Sequence, residues 1–210
     1  MAAGDTKVTI SNTALRMLGA NPITSFTDGS DGAAICAAIY PNVKDQSLGM
    51  YPWSFAKKKL TLSRSSTAPT NEWDYAYPLP STVLNNPFAV YNSTSTGIAP
   101  ITAYEIYANN DGGRDVYTNE ETIIIDYIDN NISEGSMPRY FVMLLNYMMT
   151  WHIAEPVTDQ ITKADYWRNV TIGSVTENGR GGYLRQAMNI DGRNQPSYAI
   201  GSFPLTDERD

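Results

Sequence analysis

Apolar residues recur at helical spacing at both ends of the chain and at strand-like spacing between them, so the sequence reads as helix, then strands, then helix. Over 6–18, Val8, Leu15 and Leu18 share one helical face and Gly19 follows as a stop. Asn21-Pro22 and Asp28-Gly29 are turn dipeptides. A second helix is predicted from Ser30 or Asp31 to about Met50, with Ile35, Ile39 and Val43 on one stripe. Pro41 lies inside that stripe and predicts a bend or restart there. From 57 to 128 short runs of Tyr, Val, Ile and Thr alternate with Pro, Asn, Gly and Ser. Strands are expected at 58–63, 76–79, 88–91, 101–107 and 122–128, with polar loops at 64–71 and 92–97. Asn109-Asn110-Asp111-Gly112-Gly113 predicts a hairpin turn.

Pro138 opens the clearest helix. Phe141, Leu144, Leu145, Met148, Met149 and His152 follow the 3.6-residue rule, and Tyr140, Tyr147 and Trp151 add a second stripe. A helix apolar on most sides is buried on most sides, in a core or against neighbouring subunits. Glu155-Pro156 is expected to end it. A further helix is predicted from Thr158, using Ile161, Ala164, Trp167, Val170 and Ser174, with Gly179, Gly181 and Gly182 interrupting it. After Ile190 the chain is Gly, Pro, Ser and charge, with Tyr198, Ile200, Phe203 and Leu205 as spaced anchors. The expected fold class is α+β: a helical bundle from 1–56 and 136–190, an inserted antiparallel β domain at 57–135, and an extended C-terminal arm at 191–210.

Composition narrows the function. A chain of 210 residues, 42% of them hydrophobic, can bury a substantial core. No run approaches the roughly 18 apolar residues of a bilayer span, and 141–153 is interrupted by Asn146 and His152. The first residues lack the basic start and apolar run of a secretory signal. Cys36 is the single cysteine, which excludes an internal disulfide and suits folding in a cytoplasm. The net charge of −7 opposes a phosphate-gripping module but suits a wall past which nucleic acid slides. Fourteen tyrosines and four tryptophans suit interfaces as well as cores.

Candidate chemistry is sparse. His152, the only histidine, lies on an apolar stripe and reads as a core residue, as does Cys36 among alanines. No cofactor or metal is expected: phosphate cradles, zinc spacings and nucleophile elbows are missing from the sequence. The 109–114 loop lacks calcium-ligand spacing. Glu105, Asp126 and Asp129 fall in or near strands and are the candidates for a carboxylate pair of the glycosidase kind. Lys57-Lys58-Lys59 reads as a solvated strand end sooner than a phosphate contact. No catalytic residue is assigned, and a non-enzymatic protein is expected.

The N-terminal third carries Asn12-Thr13-Ala14-Leu15-Arg16-Met17-Leu18-Gly19-Ala20, then Pro22-Ile23-Thr24-Ser25, then 33–41 with Asp45, then Tyr51-Pro52-Trp53-Ser54-Phe55-Ala56-Lys57-Lys58. Tyr77-Pro78-Leu79-Pro80 and Ile125-Asp126-Tyr127-Ile128 follow in order. This series resembles the head-to-tail adaptor, or tail tubular protein A, family of short-tailed bacteriophages. The likeness is close over 6–60 and looser to about 175. Gly49-Met50 departs from the family's leucine-rich helix end, the loops at 64–72 and 92–98 are longer, and glycines at 179–182 interrupt a helical region. The resemblance implies a virion protein of the tail and neck: a homo-oligomeric ring, usually a dodecamer, between portal protein and tail nozzle protein. DNA ejection would pass through it without specific binding and without a membrane partner. It also implies that the arm, with Tyr198, Ile200, Phe203 and Leu205, docks on the portal. The alternative reading is a virion-associated cell-wall glycosidase or glycan-binding protein.

Overall fold

A computed structural model describes residues 4–95, 97–109, 111–177 and 181–193. Helix α1, Lys7–Met17, starts where Thr6 and Thr9 cap each other: Thr9 N donates to Thr6 Oγ1 (3.2 Å) and Thr6 N donates to Thr9 Oγ1 (2.8 Å). Helix α2, Asp31–Gly49, is capped by Ser30 and runs unbroken through Pro41. The expected restart does not occur. Pro41 lies on the exposed side, while Tyr40 and Val43 beside it are buried and hold both halves to one core.

Helix α3, Arg139–Thr158, also passes its expected stop at Pro156. Thr158 Oγ1 donates to Ala154 O (2.6 Å), Asp159 N donates to Glu155 O (2.8 Å), and Asp159 closes the helix with φ 53°. Helix α4, Ile161–Ile172, follows. Helix α5, Gly182–Arg193, replaces the start of the expected arm, because Asp191 inside it is buried and bonded. Residues 194–210, with Tyr198, Ile200, Phe203 and Leu205, lie outside the described residues. Gly182, the first residue of α5, has φ 59°, and a Cβ there would stand 2.7 Å from the Thr171 carbonyl, so a glycine lets α5 begin against the end of α4.

The strands are β1 (Lys57–Thr61), β2 (Tyr75–Pro78), β3 (Val83–Tyr91), β4 (Glu105–Ala108), β5 (Arg114–Thr118) and β6 (Ile124–Asp129). They form two antiparallel three-stranded sheets, ordered β1-β6-β3 and β2-β5-β4. The fold is therefore mixed α+β. The expected hairpin is β4–β5, whose turn is organised by Asn109 Oδ1 accepting from Asp111 N (3.1 Å) and Gly113 N (2.8 Å). Strand β3 is longer than expected and carries a bulge between Leu84 and Ala89, where Asn85 has φ 59°.

Two cores result. Val90, Ile125 and Tyr127 from the first sheet meet Tyr77 and Val116 from the second. Helix α3 touches all four other helices and buries Phe141, Leu144, Leu145, Met148, Met149 and Ile153 completely. Each such side chain stabilises by about 1.5–3 kcal/mol. None of the described helices is long and apolar enough to cross a membrane.

A polar clasp joins α2 to the turn before α3. Lys44 Nζ donates to Ile132 O (2.6 Å) and to Glu134 Oε1 (3.1 Å), which also accepts from Tyr40 OH (3.1 Å). Burial pushes the Glu134 carboxyl up, but its hydrogen bonds and the Lys44 ammonium outweigh this and hold it below its ordinary value. A carboxylate depressed in the folded state stabilises above its unfolded pKa, and that stability is lost as pH falls through the folded one. Glu134→Gln is therefore expected to lower the urea midpoint at neutral pH. The gap from wild type should hold from neutral pH down to the ordinary carboxylate value and shrink as the pH falls below about 4.

Candidate functional site

Of the stretches that carry the resemblance, the Trp53 segment lies at the junction of helices and sheets. After α2 the chain turns through Tyr51-Pro52, and Trp53 enters the helical core fully buried. Its Nε1 donates to Ser47 O (2.9 Å). Its ring meets Tyr51 at 5.0 Å and Phe141 at 5.1 Å edge-on, with Phe55 and Tyr140 each at 6.3 Å. Phe55 in turn contacts Phe141 at 4.8 Å. Ala56 O then accepts from Asp129 N (3.0 Å), which ties β1 to the end of β6. Earlier in the chain Asn12 clamps the loop after α1 from both sides: Nδ2 donates to Ile23 O (2.8 Å) and Oδ1 accepts from Ile23 N (2.7 Å).

Asp191 completes the junction from α5. It is fully buried and accepts from Ser54 N (3.0 Å), Ser54 Oγ (2.6 Å) and Tyr140 OH (2.5 Å). Burial, then the adjacent Asp191, push the Tyr140 phenol far above its ordinary range, so it stays protonated and donates. Neither the Asn12 clamp nor the Asp191 lock was anticipated from the sequence. Asn12 lies inside a helix pattern, and Asp191 lies in the stretch expected as an arm.

The expected carboxylate candidates are kept apart. Asp126 lies on β6 between the inward-facing Ile125 and Tyr127, so it points to the outer face of the first sheet, where Lys59 Nζ is 3.5 Å away. Asp129 is buried and ion-paired with Lys58. Glu105 lies on the outer face of the other sheet, opposite Tyr117. It accepts from Trp73 Nε1 (3.1 Å) and Tyr107 OH (2.5 Å), bonds that hold its carboxyl below the ordinary value. Since the inner faces share one core, these outer faces point away from each other. Lys57 and Lys59 lie over the rings of Phe88 (5.5 Å) and Tyr91 (4.3 Å), so the basic run is engaged by its own sheet.

His152 packs on Trp151 (4.3 Å between rings), and its Nδ1 donates to Met148 O (2.8 Å). Burial pushes its imidazole down, which favours the neutral form. Cys36 is buried and faces Ser11, and burial pushes its thiol up. Among the described residues no three His, Cys, Asp or Glu side chains gather as metal ligands. No protein-family model matches the sequence, and no curated protein matches it.

Proposed function

We propose that this chain is a non-enzymatic structural subunit of a phage virion, the ring-forming head-to-tail adaptor between portal and tail nozzle. One observation carries the reading. The residues of the resemblance are spent on architecture: Asn12 fixes Ile23, and the Trp53 segment joins α2, α3, α5 and β1. A likeness located there is a likeness of the building block, which is what a ring subunit must keep. The net charge of −7 fits a conduit that does not grip DNA. Apolar side chains left exposed on the helices (Ile161, Tyr166, Val175) supply contact surface for neighbours.

The test is electron microscopy and mass measurement of the chain co-expressed with a portal protein. A closed ring of 23.2 kDa subunits, near twelve and coaxial with the portal, is the expected result. A chain that stays single and never joins the portal would overturn the reading.

A specific observation favours a second reading, glycan binding. Tyr107 and Tyr117 lie 5.7 Å apart on one sheet face, with Trp73 bonded to the neighbouring Glu105. Rings beside a carboxylate acceptor form the kind of platform on which a sugar stacks. If this reading holds, the purified chain sediments with bacterial cell walls, and Glu105→Gln with Tyr107→Ala releases it.

A further inference from the structure

A ring of identical subunits joins by heterologous contacts, so each chain must carry two unlike and complementary patches. On the helices, the exposed large apolar side chains fall into two sets. Ile161, Tyr166 (61% exposed) and Val175 lie along α4 and the turn after it. Met143 and Ile190 border a groove of about 470 Å³ between α3 and α5, lined also by Val142, Asn146 and Tyr183. One patch projects and the other is concave.

The groove holds an unmet polar group. Asn146 lines the groove and is only 9% exposed; its Oδ1 has no hydrogen-bond partner among the described residues and is closed to solvent, so a donor in the groove reaches it once the amide turns about its Cβ–Cγ bond. Such an acceptor costs stability until a donor reaches it. The donor must arrive on an apolar body, because the rest of the lining is mostly apolar. A tyrosine meets both requirements. Tyr166 stands on the outward face of α4 with Thr162, Asp165 and Asn169, at i, i+3, i+4 and i+7 spacing. Charge agrees with the pairing. Asp165 is exposed next to Tyr166, whereas the exposed charges of α5 are Arg185 and Arg193, its one acid Asp191 being buried.

We infer that α4 of one copy lays Tyr166 into the α3–α5 groove of the next, its hydroxyl donating to Asn146 Oδ1 and Asp165 lying against the basic face of α5. This is helix-in-groove recognition between copies of one chain. It rests on the ring reading above and names the contact that would close the ring.

The experiment is a double-mutant cycle on assembly, followed by sedimentation of the full chain alone and with the portal protein. Tyr166→Phe is expected to weaken association about tenfold in the wild-type background and to change nothing in an Asn146→Ala background. Met143→Arg, at an exposed position, should abolish assembly while leaving the melting temperature of the free chain unchanged. If wild type forms rings and both Tyr166→Phe and Met143→Arg form them equally well, the groove contact is overturned and the ring reading stands. If Met143→Arg blocks assembly but Tyr166→Phe behaves as wild type in both backgrounds, Tyr166 is not the occupant. A wild-type chain that sediments as a single subunit under both conditions overturns the ring reading and the groove contact together.

Discussion

Trp53→Ala is expected to lower the unfolding free energy by about 3–5 kcal/mol, the range for deleting a buried aromatic whose surroundings cannot collapse. The surroundings here are rigid. Tyr51, Phe55, Tyr140 and Phe141 line the indole from a turn, a strand approach and the central helix, so filling the void would require all three elements to move. Loss of the indole N–H also leaves Ser47 O without that donor inside the core. Trp53→Phe keeps part of the volume and should cost less, about 1–3 kcal/mol, from the lost hydrogen bond and residual void. Urea midpoints by circular dichroism check both. A Trp53→Ala chain as stable as wild type would show that the junction is not the point on which the helices and β1 depend.

The elements most legible in the sequence were those whose burial follows one period. In α3 the stripe from Phe141 to Met149 is apolar because it is the side buried against the other helices. Prolines misled in two places for a common reason. Pro41 and Pro156 remove one hydrogen bond each, but both are exposed: Tyr40 and Val43 are buried on either side of Pro41, and Ile153 and Ala154 are buried just before Pro156, with Val157 half-buried after it. Strand β3 extends the expected strand 88–91 back to Val83 through Asn85, Asn86 and Pro87, where the register with β6 shifts. That bulge also brings Asn85 against the end of α2. A Cβ on Gly49 would stand 2.9 Å from Asn85 Nδ2, so a larger residue there would make that amide move aside.

The candidate contacts were harder to read because they depend on partners distant in sequence. Ile161 was assigned to the buried stripe of α4 yet is exposed, while Tyr166 lies outside that stripe. Apolar residues on both sides of α4 signal a second surface, and periodicity alone cannot say which side the core takes. Asn146 read as an interruption of an apolar run. In the fold it is a buried amide beside a groove, and its missing partner is visible only once α5 is in place.

Asp191→Ala should produce the second large effect, about 2–4 kcal/mol, through a different route: donors stranded in place of a void. Ser54 N, Ser54 Oγ and Tyr140 OH all donate to this carboxylate, and all three are at least partly buried. The hydroxyls can rotate toward other acceptors, but the Ser54 amide cannot, so it bears most of the penalty. Asp191→Asn retains one acceptor oxygen and should lose about half as much. Position determines what the loss does to the molecule. Asp191 lies near the end of α5, whose other anchors, Leu184 and Ala187, remain packed, so α5 should loosen before the α1–α3 core does. Hydrogen exchange measured by peptide would show α5 losing protection in Asp191→Ala while 141–153 keeps most of its own. Equal loss in both segments would make Asp191 part of the global core. Selective loss would make it the latch that holds α5, and with it one wall of the Asn146 groove, in place.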